Sequence, residues 1–153
     1  MCNEEVKKMN FKREIISDNL IPKLEELRFD AYGIFQTDIP YDATYYAKEL
    51  RQNKYVVYTC YIETELVGAC YVSNENNSLY IEQLFVKKQY QNSKLSIGKS
   101  LMMYVLNDKN YLEQYFNKKI NKSYLSTRSS KLEQYYEKLG YEKVDEVYMR
   151  KTV

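Results

Sequence analysis

Residues 89–98, QYQNSKLSIG, join a polar, turn-rich loop to a helix whose apolar face begins at Ile97. That junction suits anion chemistry. The first backbone amides of a helix have no partner within it and carry partial positive charge, so a phosphate placed there is held with few side chains. Glycine or another small residue lets the phosphate approach closely. The same junction also reads as a plain strand-loop-helix connection with solvated lysines. The chain has no histidine, which removes Ser-His and Cys-His mechanisms and the commonest metal ligand. Acid–base work falls to carboxylate, tyrosine, lysine, cysteine or water. The three cysteines, Cys2, Cys60 and Cys70, show no C-x-x-C spacing, so neither a disulfide framework nor a zinc site is indicated. Cys60 and Cys70 fall in β-rich runs and read as buried, inert thiols.

The elements that must position this junction are legible along the chain. FKREII, from Phe11, reads as a strand. Ser17 and Asp18 cap a helix that tolerates Pro22 in its first turn, presents Leu20, Leu24, Leu27 and Ala31 on one face, and ends at Gly33. A weaker helix follows Pro40, over 41–51. KYVVYTCYIETELVGACYVS is an antiparallel hairpin turning at ETE, and SLYIEQLFV is a third strand ending at Val86. After the loop, Ile97, Leu101 and Val105 form one helical face. Further helical signal surrounds Tyr111 to Phe116. KSYLST reads as a short buried strand. SKLE, from Ser130 to Glu133, has the form of a capping box, and Leu132, Tyr135, Tyr136 and Leu139 make an apolar face closed by Gly140. YEKVDEVYMRK reads as one last strand. The order is β-α-α-β-β-β-α-β-α-β, an α/β (α+β) fold with a mixed, mostly antiparallel sheet flanked by helices.

A chain of 153 residues suits one domain, residues 1–153, with one core. Its formal net charge of +2 gives no reason to expect nucleic acid as the main partner. The eighteen tyrosines are spread along the chain without basic clustering and read as core-edge residues rather than a base-stacking platform. The N-terminus has no apolar run of the signal-peptide kind, and no stretch approaches the ~20 apolar residues of a membrane span, so a soluble, cytoplasmic protein is expected.

The element order, with IEQLFV before the loop and YEKLGY near the end, resembles the GNAT N-acetyltransferase superfamily. The likeness runs from about Phe11 to Met149. Two segments carry it: Leu79 to Val105, similar to the family's strand, pyrophosphate loop and helix, and Ser123 to Tyr141, similar to its strand and following helix end. Family members usually show Q/R-x-x-G-x-G/A in the loop. Counting back from Gly98, the earlier glycine is replaced by Ser96 and the leading residue by Ser93; if Gln91 leads instead, two residues are added.

The resemblance implies acetyl transfer from acetyl-CoA to a primary amine (a small molecule, a peptide N-terminus or a lysine) by direct attack in a ternary complex, with no metal. It implies that coenzyme A is bound by the loop and helix start, at Gln91, Ser93, Lys94, Leu95 and Ser96 and then Ile97, Gly98 and Lys99, with Lys87 and Lys88 upstream. Backbone amides of Leu84, Phe85 and Val86 would hold the acetyl and pantetheine portion, in a strand that splays from its neighbour. Ser129 takes the place of an asparagine that often contacts the arm. Tyr136, four residues before Gly140, matches the tyrosine that protonates the departing thiolate, with Tyr135 as fallback; its place beside Leu132 and Leu139 also fits a plain core role. Glu82 is the candidate base, against a solvent-facing or ion-paired glutamate. Asp38, Tyr41, Asp42 and Tyr45 would wall the acceptor side, and Arg128 could face an acidic acceptor. Family members often pair through their later strands, which implies a homodimer. The other readings are a CoA-binding regulatory module without catalysis and an acyltransferase using a longer acyl-CoA; acetylation of charged tRNA is disfavoured by the charge balance.

Overall fold

The computed structural model describes residues 8–32, 46–127 and 130–153. Among the described residues, seven strands hydrogen-bond in the order β1-β2-β3-β4-β5-β7-β6. They are β1 (Met9–Glu14), β2 (Val56–Ile62), β3 (Glu65–Glu75), β4 (Ser78–Val86), β5 (Lys122–Ser126), β6 (Glu142–Lys143) and β7 (Tyr148–Thr152). The helices are α1 (Leu20–Tyr32), α2 (Ile97–Asn107), α3 (Lys109–Phe116) and α4 (Ser130–Lys138), and residues 46–51 are also helical. The expected mixed fold is therefore observed. The chain condenses into two compact units, one holding residues up to Tyr71 with Gln83–Tyr104, the other Val72–Glu82 with Val105–Val153.

In the first unit β1 runs antiparallel to β2, from Met9↔Ile62 to Glu14↔Val57. Ser17 caps α1 as expected: the Leu20 N–H donates to the Ser17 carbonyl at 3.1 Å and lies 3.2 Å from its hydroxyl. Asp18 does not cap; its carboxylate lies 3.5 Å from Arg51 Nε. Leu20, Ile21, Leu24 and Leu27 bury one stripe of α1 against Leu50, Tyr55, Val57, Ala69, Tyr71 and Phe85. Each such side chain contributes about 1.5–3 kcal/mol by leaving water. The hairpin turns at Glu63, whose φ of 57° is left-handed. Helix α2 buries Ile97 and Leu101, and Ile97 Cγ2 lies 3.0 Å from where a Cβ on Gly68 would be. Glycine at that position of β3 lets the helix approach the strand. Gly33 and residues 41–45 fall outside the described residues.

In the second unit β4 pairs in parallel with β5, from Ser78↔Lys122 to Ile81↔Leu125, and β5 pairs antiparallel with β7. Side-chain alternation then separates two faces. Leu79, Ile81, Ser123, Leu125 and Met149 are buried on one of them. The single last strand expected from YEKVDEVYMRK is instead two strands, β6 and β7, paired antiparallel. The cause is Asp145, whose Oδ1 accepts from the Val147 and Tyr148 amides, both at 2.8 Å, and so makes a turn inside the run. Helix α4 also differs from expectation: it takes in Ser130, one residue ahead of the helix start that the capping box implied, and Leu132 is 45 % exposed. Its buried side is aromatic, with Tyr136 edge-on to Tyr135 (5.2 Å) and Tyr141 (6.1 Å).

Candidate functional site

The loop between β4 and α2 is built by local hydrogen bonds that spend some of the expected ligands. The Lys87 amide donates to the Val67 carbonyl at 2.8 Å, and the Lys88 amide to the Asp30 carboxylate at 2.8 Å. The Gln91 side-chain amide donates to the Val86 carbonyl (2.8 Å) and the Ala31 carbonyl (3.1 Å), while its backbone N–H donates to the Lys88 carbonyl (3.2 Å). Gln91 thus has no N–H left for a phosphate and acts as a brace between the end of β4 and the end of α1. Ser93 accepts twice, from the Leu95 amide on its hydroxyl (3.3 Å) and from the Ser96 amide on its carbonyl (3.4 Å). Leu95 and Ile97 are buried and pin the loop from below.

The helix ladder begins where Ser100 N–H donates to the Ser96 carbonyl at 2.9 Å. The amides of Ile97, Gly98 and Lys99 lie in the first turn, ahead of that ladder, and take no acceptor among the described residues. Asn92 and Ser96 are left-handed, at φ 57° and 50°. Ser96 thus occupies a left-handed position, whose backbone favours glycine, whereas Gly98 is helical. Lys94 and Lys99 are exposed beside this start. Lys87 is already engaged, with its ammonium 2.7 Å from Glu65, a hydrogen bond that raises its pKa.

Phe85 is buried edge-on to Tyr71 at 5.4 Å, and Leu84 and Val86 are half-buried. The β4–β5 register ends at Ile81↔Leu125, while β4 continues to Val86. Gln83 was not legible as a functional residue. Its Oε1 accepts from the Tyr32 hydroxyl and its Nε2 donates to the Tyr46 hydroxyl, both at 2.7 Å. One amide therefore ties two helical segments to β4, through partners 51 and 37 positions away that no local pattern marks. Near it, Tyr71 OH and Glu25 Oε1 are buried without a hydrogen-bond partner among the described residues, and burial raises the Glu25 pKa against the lowering pull of Arg28.

In the second unit Glu82 is exposed, and its Oε1 accepts from the Ser73 hydroxyl at 2.6 Å. Tyr136 is 8 % exposed. Its neighbour Tyr135 is half-buried, and burial raises the pKa of that phenol. Tyr141 shares a buried hydroxyl–hydroxyl bond of 2.7 Å with Ser123. Ser129 and Arg128, like Asp38, Tyr41, Asp42 and Tyr45, lie outside the described residues. Burial pushes the Cys60 thiol up to about 12 and raises Cys70 as well, in keeping with inert thiols. No helix among the described residues is long and apolar enough to cross a membrane.

Residues 31–153 match the family model described as an acetyltransferase (GNAT) domain. No curated protein sequence matches. Among solved structures, the chain is similar to the PaiA N-acetyltransferase of Thermoplasma acidophilum in complex with coenzyme A (16 % identity, 95 % of this chain and 99 % of that one, TM-score 0.70). It is similar to an acetyltransferase of Streptococcus agalactiae (11 % identity, 96 % and 99 %, TM-score 0.75). A third likeness is to the ribosomal-protein-S18-alanine N-acetyltransferase of Escherichia coli (12 % identity, 95 % and 94 %, TM-score 0.71).

Proposed function

The chain belongs to the GNAT acetyltransferase family, and from that premise we propose that residues 1–153 act as one domain that moves an acetyl group from acetyl-CoA to a primary amine. The observation that carries this reading is the start of α2, where the amides of Ile97, Gly98 and Lys99 precede the helical ladder. Partial positive charge on those groups favours a diphosphate. Ser93, Leu95 and Ile97 shape the loop, Lys94 and Lys99 add charge beside it, and Gln91 holds it in place rather than touching the ligand. The coenzyme A in the Thermoplasma relative supports the same choice of donor.

The chemistry forms a C–N bond at the thioester carbon and breaks its C–S bond. The amine gives up one proton, and the departing thiolate takes one. Glu82 is the proposed proton acceptor, directly or through water, with Ser73 fixing its carboxylate. Tyr136 is the proposed donor to the thiolate. Amides of Leu84 to Val86, past the end of the β5 ladder, are proposed to polarise the thioester oxygen as charge develops on it.

Calorimetry with acetyl-CoA, followed by a thiol-release assay over a panel of amines, tests the proposal. Saturable binding with thiol release on at least one amine is expected. Tyr136→Phe should lower turnover and leave acetyl-CoA affinity nearly unchanged. Absence of acetyl-CoA binding would overturn the reading, and binding without release on any amine would favour a regulatory module.

A further inference from the structure

Asp30 stands in the last turn of α1, which carries no basic residue. The partial negative charge of a helix C-terminus opposes a carboxylate there. The side chain is exposed, so burial does not keep it in place. What it does is accept from the Lys88 backbone N–H at 2.8 Å, across 58 positions of sequence. Lys88 opens a short 3-10 turn, Lys88–Tyr90, and the residue before that turn, Lys87, supplies no side-chain cap. Asp30 therefore caps the turn from another element, with a charge-assisted bond.

The two residues after Asp30 reach the same stretch of chain. The Ala31 carbonyl accepts from the Gln91 side-chain amide at 3.1 Å, and that amide also donates to the Val86 carbonyl at 2.8 Å. The Tyr32 hydroxyl donates to Gln83 Oε1 at 2.7 Å. Three consecutive residues of α1 thus hold β4 and the connection after it at Gln83, Lys88 and Gln91. Beyond Gln91 the bonds are short-range: Leu95 and Ser96 donate to Ser93, and Ser100 to Ser96. The polar ties that aim the loop are therefore made at its front end, on α1. The charge of Asp30, by contrast, works against any anion bound nearby. Position and charge make opposite predictions, which lets them be separated.

We propose that Asp30 is a positioning residue for coenzyme A. It acts through the Lys88 turn, holding the loop so that the first amides of α2 meet the diphosphate. The proposal rests on the reading of this loop as the coenzyme A site.

Calorimetric titration with coenzyme A tests it, with amide hydrogen exchange of the free protein, resolved by NMR, as a second readout. Asp30→Ala should weaken coenzyme A about three- to tenfold, the effect of losing one charge-assisted bond from the loop. Asp30→Asn keeps an oxygen for the Lys88 amide and removes the charge, so it should bind at least as tightly as the unaltered protein. A purely electrostatic role predicts instead that both variants tighten. Gln91→Leu should also weaken coenzyme A, and should cost clearly less on the Asp30→Ala background than alone, because both braces hold one connection. Without ligand, Asp30→Ala should speed exchange at Lys88 and also at Tyr90 and Gln91, whose acceptors, the Lys87 and Lys88 carbonyls, it leaves in place. Asp30→Asn should leave Tyr90 and Gln91 unchanged. Unchanged or tighter binding by Asp30→Ala, an equal loss in Asp30→Asn, additive losses with Gln91→Leu, or unaltered exchange at Tyr90 and Gln91 in Asp30→Ala would each overturn the proposal. Any of these beside normal binding by the unaltered protein removes the role of Asp30 alone. No binding of coenzyme A by the unaltered protein removes the transferase reading, and the proposal with it.

Discussion

Replacing Ser96 with glycine should stabilise the protein, although the change removes atoms. Ser96 has φ 50°, a left-handed conformation that costs an L-residue about 1–2 kcal/mol. Its hydroxyl takes no partner among the described residues, and the bond that opens the helix uses its carbonyl, which glycine keeps. Glycine gives back about 0.4–1 kcal/mol through the greater freedom of the unfolded chain. The net gain is about 0.5–1 kcal/mol, which for a chain of this size raises Tm by about 1–4 °C. Asn92→Gly is the control. Asn92 has φ 57°, but asparagine tolerates this region, so the gain there should vanish. Thermal unfolding followed by circular dichroism measures both. A Ser96→Gly protein no more stable than the unaltered one, or an equal gain for Asn92→Gly, would refute the strain assigned to Ser96.

Gly68→Ala should cost about 1–3 kcal/mol, because its Cβ would stand 3.0 Å from Ile97 Cγ2; in an Ile97→Ala background, urea titration should show much less additional loss. Cys60 and Cys70 should resist alkylation at pH 8 in the native state and react after unfolding, as read by peptide mapping, because burial raises both thiol pKa values. The Asp145 pKa is lowered by the Tyr148 and Val147 amides. Its contribution to the β6–β7 turn is therefore present above the ordinary carboxylate value of about 3.9 and lost as pH falls through the lower folded value. The Val147 and Tyr148 amide resonances should move together over that acidic range, and in Asp145→Ala they should show no such titration.

Where spacing alone determines burial, the sequence was legible. The α1 stripe of Leu20, Leu24 and Leu27, the hairpin at ETE and the Ile97, Leu101 and Val105 face all follow from periodicity and are observed. Less was legible where a distant or competing bond decides. The last strand splits because one carboxylate, Asp145, captures two amides. Lys87 pairs with Glu65, 22 positions earlier, a partner that local pattern does not mark. The Gln91 side chain bonds Ala31, 60 positions earlier, a contact that spacing does not mark. Leu132 continues the helical period yet is exposed, because Tyr135 and Tyr136 with Tyr141 form the packed side of α4. In the loop, the motif's missing glycine was visible as Ser96, but only backbone geometry shows that a left-handed residue belongs there.

The central claim is that the first-turn amides of α2 grip a diphosphate, and amide-resolved NMR titration tests it most directly. Coenzyme A should produce its largest shifts at Ile97, Gly98 and Lys99, and pantetheine, which lacks the diphosphate, should leave those three nearly unmoved. Unshifted amides at saturating coenzyme A, or equal shifts with pantetheine, would contradict the account.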